Sequence, residues 1–214
     1  MKVKIKYIII SLLIFLVFRL SAQTPSTPMK DVAGFKERLA AMTGKVNTIE
    51  SDFIQEKNLS VLSDKIISKG HFCYKKDNNI RWEYLQPYQY LIIISNGKIF
   101  IKEDNSQKQY DIQSNKMFQE MNMFISGCIQ GDILKNEKEY KVGYFEDDKN
   151  YFVSLVPKAE AMHKMLNEVQ IWFNHSDLTV SRITMLESGG DYTKIDFTNK
   201  KLNTDVPIEK FSFK

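Results

Sequence analysis

Ile66-Ile67-Ser68-Lys69-Gly70-His71-Phe72-Cys73-Tyr74 is followed by Asp77-Asn78-Asn79, then by Ile80-Arg81-Trp82-Glu83-Tyr84-Leu85, and then by Tyr90-Leu91-Ile92-Ile93-Ile94-Ser95 ahead of Asn96-Gly97. This stretch decides the fold. Ile66, Ser68, Gly70, Phe72 and Tyr74 share one side of an extended segment; Ile80, Trp82 and Tyr84 share one side of the next, with Arg81 and Glu83 opposite. A period of two is the spacing of a strand that buries one face. Asp and Asn tolerate the left-handed backbone of tight turns, and Asn-Gly is the strongest short hairpin signal, so these segments fold back on one another as antiparallel neighbours. Tyr90 to Ser95 is apolar on both faces; the chain returns through Lys98 to Glu103, and a strand near Gln107 to Ile112 ends the meander.

On the N-terminal side, Phe53 and Gln55 share a face of an earlier strand. Before it, Asp31 is placed to cap a helix running to about Ile49, because Val32, Phe35, Leu39, Met42, Val46 and Ile49 form one apolar stripe at helical spacing. On the C-terminal side, Met117, Phe118, Met121, Phe124, Ile125 and Cys128 return to helical spacing, punctuated by Gly127 and Gly131. Strands are then predicted at Tyr140 to Phe145, Tyr151 to Pro157, Leu166 to Asn174 and Thr179 to Glu187, with Lys158 to Met165 as a polar loop or short helix. Ser188-Gly189-Gly190-Asp191 leads into a last strand from Tyr192 to Asn199. Helix, meander, helix, meander is an α+β pattern: one large, curved antiparallel sheet with one or two helices on its concave side.

The chain has 214 residues, 43% of them apolar, with two cysteines and a formal charge of +4. Wholesale disorder, collagen-like repeats and a disulfide scaffold are excluded, and the length suits one domain with a full core. The excess charge lies at the front. Lys2, Lys4, Lys6 and Arg19 surround an apolar run from Ile8 to Phe18, and Ser21-Ala22 stands before the polar Gln23-Thr24-Pro25. That is the pattern of a secretory signal peptide over residues 1–22, its run too short to span a bilayer and no lipidation cysteine beside the cut. An uncleaved membrane anchor is the bland alternative. Residues 23–30 read as a linker and 31–214 as a single domain. Of 30 basic residues four leave with the signal, so from Gln23 onward 26 basic residues balance 26 acidic ones. Nucleic acid is thereby not an expected partner, and recognition should rest on apolar burial.

Catalytic patterns are scarce. His71, His163 and His175 are scattered, with no paired-histidine or Cys-x-x-Cys metal spacing, no phosphate-binding glycine loop and no Gly-x-Ser-x-Gly elbow. Cys128 with His163 is the one thiol-and-base pair on offer, but Cys128 lies on an apolar helical stripe, where a packing thiol is the plainer reading. No enzyme, metal or cofactor is expected. Cys73 and Cys128 lie on faces that argue against a disulfide, since Cys73 points away from Phe72 and Tyr74; two free buried thiols are expected.

The order of Phe53-x-Gln55, Gly70-x-Phe72-x-Tyr74, Ile80-Arg81-Trp82-Glu83-Tyr84-x-x-Pro87 and Ile94-x-Asn96-Gly97-Lys98, closed by Val206-Pro207 and Phe211-x-Phe213, resembles the LolA-like outer-membrane lipoprotein carriers across essentially the whole exported chain. The resemblance implies an open, incomplete β-barrel with helices as a lid over an apolar concave wall. It also implies a periplasmic, monomeric shuttle that takes the acyl chains of lipoproteins from an inner-membrane ABC transporter to an outer-membrane acceptor. Phe53, Ile66, Phe72, Tyr74, Ile80, Trp82, Tyr84 and Ile94 are then candidates for the wall, and Met117, Met121 and Phe124 for the lid. Methionine suits a surface that repacks around differing chains. The family's lid-closing arginine falls six residues before Trp82, where this chain has Lys76; Arg81 is the other candidate donor, although it lies opposite Trp82 on its strand. Period two assigns residues to a face without saying whether protein or lipid fills it. A lipid-sensing regulatory domain of similar architecture is the alternative function.

Overall fold

The computed structural model describes residues 27–114, 119, 126–128, 131–135 and 137–213. Among the described residues twelve strands form one sheet: β1 (Thr27–Pro28), β2 (Thr48–Asn58), β3 (Ile66–Lys75), β4 (Asn79–Gln86), β5 (Tyr90–Ser95), β6 (Lys98–Glu103), β7 (Ser106–Asp111), β8 (Tyr140–Glu146), β9 (Asn150–Pro157), β10 (Leu166–Asn174), β11 (Val180–Glu187) and β12 (Tyr192–Leu202). The order is β1-β8-β9-β10-β11-β12-β2-β3-β4-β5-β6-β7, every neighbour antiparallel. Two meanders are joined by the β12–β2 pair, and β1 and β7 remain as separate edges, so the curved sheet is an open barrel. Thr27 and Pro28, expected to be linker, instead pair with Glu146 and Phe145.

The predicted strands fall where period two places them, because the turns between them carry the backbone those turns require. Asp77 and Asn78 have φ of 70° and 61°, and Asn96 and Gly97 have φ of 50° and 73°, the double left-handed geometry that matches strand twist in a tight hairpin. Gly70 answers a different need. A Cβ there would meet Glu83 O at 1.9 Å and the Phe53 ring at 2.7 Å, so the missing side chain is what lets Phe53 lie across β3.

Helix α1 (Val32–Thr43) begins as expected, with Asp31 Oδ1 accepting from Gly34 N at 2.8 Å. It stops six residues short of the expected Ile49. Gly44 ends it, Val46 turns inward to the core, and Thr48 and Ile49 enter the ladder opposite Lys75 and Tyr74. Strand pairing, which satisfies backbone groups along the whole of β2, overrides a side-chain spacing that suited either element. A short α2 (Glu160–His163) lies in the predicted polar loop. Of the predicted lid helix, Ser126–Cys128 is described and is helical; Met117, Met121 and Phe124 lie outside the described residues.

The inner face of the sheet carries two apolar clusters. One gathers Phe35 and Leu39 of α1 with Cys128, Val153, Leu155, Val169, Ile171 and Phe173; the other gathers Phe53, Phe72, Tyr74, Ile80, Ile94, Ile99 and Ile195. The C-terminal segment differs from its expected role as a closing strand. Pro207 lacks an N–H, and the chain after Asn203 (φ 56°) crosses the outer face as a 3-10 turn, Ile208–Phe211. There Val206 and Phe211 bury themselves against Cys73 and Ile93, Phe213 stacks on Phe100 with centroids 4.8 Å apart, and Lys75 Nζ donates to Val206 O at 2.6 Å.

Candidate functional site

A cavity of about 350 Å³ lies where the two inner clusters meet. Its roof is Leu39, Met42 and Thr43 of α1 with Val46 and Cys128; its walls come from both meanders. Phe72, Trp82, Tyr84 and Ile92 line it from β3, β4 and β5. Ile183 and Met185 of β11 and Ile195, Phe197 and Leu202 of β12 line it from the other side. Phe72, Trp82 and Phe197 stand mutually edge-on, with centroids 5.1 to 6.1 Å apart. Such aromatic edges hold their places without closing the space between them. A cavity of this size, apolar with few polar groups, lies within the usual range for a small-molecule site.

Of the wall candidates, Phe72, Trp82 and Tyr84 face the cavity. Phe53, 1% exposed, stands behind them with its ring 5.2 Å from Trp82 and 5.1 Å from Tyr84. Tyr74, Ile80 and Ile94 are buried in the same cluster, where protein fills the space around them, and Tyr74 also borders a second depression. Ile66 is set apart: at the first residue of β3 it is 41% exposed and outside the lining.

Lys76 lies beside that second depression with Thr43, Leu134 and Asn78. Two residues on, Asn78 Oδ1 accepts from Ser126 Oγ at 2.5 Å, which ties the last turn before Cys128 to the β3–β4 hairpin. Arg81 is elsewhere. Its guanidinium is on the outer face, paired with Glu83 at 3.0 Å and donating to Lys210 O at 3.3 Å, so the C-terminal tail holds it away from the cavity.

The polar groups of the lining are few. Tyr84 donates to Gln55 Oε1, Ser51 Oγ donates to Thr198 O at 2.8 Å, and Lys200 Nζ donates to Val180 O at 3.2 Å and to Thr179 Oγ1. Burial pushes the Tyr84 phenol up to about 12 and the Cys128 thiol up to about 12. A thiol so raised is protonated at neutral pH and is a poor nucleophile. Cys73, pushed up to about 11 by burial, sits on the opposite face of the sheet, and both thiols are free.

The residues from β11, β12 and α1 were absent from the expected wall. Ile183/Met185 and Ile195/Phe197 do alternate at period two, a signal sufficient to place them on one face. Lys200 carries no such signal, because an irregularity in β12 turns it inward.

An open antiparallel sheet with an apolar cavity beneath a helix defines a class of half-barrel binding proteins. Within that class the chain belongs to the LolA family: the family model "Outer membrane lipoprotein carrier protein LolA" matches residues 44–214. Similar curated proteins carry the name outer-membrane lipoprotein carrier protein. That of Francisella philomiragia is 30% identical over 154 residues, covering 71% of this chain and 70% of its own. That of Bordetella avium is 23% identical over 202 residues, covering 91% and 88%. Among solved structures, the Pseudomonas aeruginosa MucA/MucB complex superposes with a TM-score of 0.51 at 12% identity, covering 85% of this chain and 60% of that one; it shares the fold. Among the described residues no helix is long and apolar enough to cross a membrane, and no cluster of metal-ligating side chains occurs.

Proposed function

We propose that the protein is a periplasmic carrier that shields the acyl chains of lipoproteins in this cavity and moves them from the inner to the outer membrane. The observation that carries the reading is the unfilled apolar cavity of about 350 Å³ between two otherwise packed clusters, in a chain of this family. Each buried methylene gains about 0.8 kcal/mol, so a chain of about 14 carbons costs on the order of 10 kcal/mol to expose to water, and a carrier must cover it throughout transit. Release demands the reverse: few hydrogen bonds to the chain and a cover that opens. Phe72, Trp82 and Tyr84 serve as wall, with Phe53 behind them. Met117, Met121 and Phe124 serve as lid, with Lys76 of the β3–β4 hairpin as its closing donor. Residues 1–22 direct export and are removed near Ala22. The monomer then exchanges cargo with an inner-membrane ABC transporter and an outer-membrane acceptor.

The test is to express the chain in its native host and identify by mass spectrometry what co-purifies. Lipoproteins in stoichiometric amount are expected. An empty protein whose lid variants leave the envelope unaffected would refute the carrier reading.

A further inference from the structure

Strand β12 contains one residue too many. Thr198 pairs with Asp52 and Lys201 with Glu50, so Asn199 and Lys200 together oppose Ser51. Asn199 takes the left-handed backbone (φ 52°) and turns outward, donating to Asp52 Oδ2 at 2.7 Å. The extra residue shifts the alternation by one, as bulges do. Lys200 therefore points inward and Lys201 outward toward Glu50, where strict alternation from Ile195 and Phe197 would reverse them.

Lys200 is thus the one charged side chain in the lining of an apolar cavity, among the described residues. Its Nζ is held in place by two acceptors of the same wall, Thr179 Oγ1 and Val180 O. The Thr179 hydroxyl proton is directed to Asp177 Oδ1 at 2.7 Å, which leaves its lone pairs toward the ammonium. Among the described residues no carboxylate contacts Lys200 directly, and of the three donors of an ammonium two go to Thr179 and Val180, which leaves the third for a ligand. Burial lowers the Lys200 pKa, and the Asp177 carboxylate behind the Thr179 hydroxyl offsets only part of that cost. A purely lipophilic cavity has no use for such a group.

We propose that Lys200 pairs with the anionic head of an acyl amphiphile whose chain occupies the cavity, so that the site prefers single-chain lipids bearing a carboxylate or phosphate over neutral ones. This rests on the reading of the cavity as an acyl-chain site. The charge then reads the ligand's polar end, and the apolar walls hold its chain, a division seen wherever a few polar groups orient a lipophilic ligand.

The purified protein would be titrated with cis-parinaric acid and with its methyl ester, followed by fluorescence. The acid is expected to bind about tenfold tighter, the size of one charge-assisted hydrogen bond. Lys200→Met should abolish the difference between acid and ester, and Lys200→Arg should keep the preference. Competition by palmitate but not lysophosphatidylglycerol identifies the carboxylate as the preferred head; displacement by lysophosphatidylglycerol but not by the phosphate-free monopalmitoylglycerol identifies the phosphate. The wild-type comparison needs no variant and stands even where Lys200→Met lowers stability. Equal affinity of acid and ester, or a preference that survives Lys200→Met, overturns the assignment to Lys200 alone; binding of neither probe overturns the acyl-chain reading and this proposal with it.

Discussion

The Tyr84 hydroxyl donates to Gln55 Oε1 at 2.9 Å, a bond that passes over β3 and ties β4 to β2 within the cavity wall. It spans a whole strand because β3 offers little at that level: Gln55 pairs with Ser68 and Tyr84 with Gly70. Since burial holds the phenol far above neutral pH, the pair stays uncharged, and it satisfies an amide oxygen in a lining that is otherwise apolar.

Gly70→Ala tests how tightly that crossing is built. Its methyl would collide with Glu83 O, a backbone atom, and with the ring of Phe53, which is buried. The expected loss is about 3 kcal/mol, or roughly 6–12 °C in Tm for a chain of this size, read by thermal unfolding. An unfolding midpoint equal to wild type would show that the strands separate at that point without cost.

Ile183→Phe places a ring in the cavity from β11, where Ile183 is half-buried and faces open space. Stability should change by no more than about 1 kcal/mol, because the added atoms enter a void. Affinity for an acyl probe should fall by about tenfold or more. Unchanged affinity would place the chain elsewhere.

The two thiols should respond separately to the tail. Unreduced protein in denaturant should titrate two free thiols, and the native protein should react slowly at both. Phe211→Ala uncovers the outer face, so Cys73 should become fast-reacting toward a thiol reagent while Cys128 stays slow. Equal acceleration at both positions would mean that the tail holds the entire fold rather than one face of it.

Glu56 sets an acid limit. Lys65 and Tyr192, with Lys194 behind them, hold its carboxyl down to about 2, against 4.5 for the free side chain. The folded form therefore favours the carboxylate: this stabilisation is complete above pH 4.5 and disappears as pH falls toward about 2. Because the Lys65 arm is half exposed, the effect should be about 1 kcal/mol. Urea unfolding at pH 7 and pH 2 should show Glu56→Gln to be less stable at pH 7 and nearly equal to wild type at pH 2.

Strand positions were legible in the sequence wherever two alternating faces met a turn with its own chemistry, as at Asp77-Asn78 and Asn96-Gly97. The end of α1 was not, since Val46 and Ile49 suit a helix stripe and a strand face equally, and only the partner strand decides between them. Nor was the tail: Phe211-x-Phe213 alternates like a strand, but Pro207 and the turn at Asn203 direct it across β3 and β5. The β4 part of the wall was visible because its aromatics alternate without interruption. Separating wall from filled core required three dimensions, which place Trp82 beside a void and Ile80, two residues earlier on the same face, beneath packed protein.

The tail's path has a mechanical consequence. With Val206, Phe211 and Phe213 fastened over β3, β5 and β6, the sheet near Phe72 and Ile92 is sandwiched between its own C-terminus and the contents of its cavity. Bending it outward would strip that clamp and expose its apolar anchors. The roof is fastened differently: α1 buries Phe35 and Leu39 against the sheet, while its first turn is held by exposed bonds to Asp31. The sequence that braces the outer face of the shell thus lies at the opposite end of the described chain from the helix that roofs its cavity.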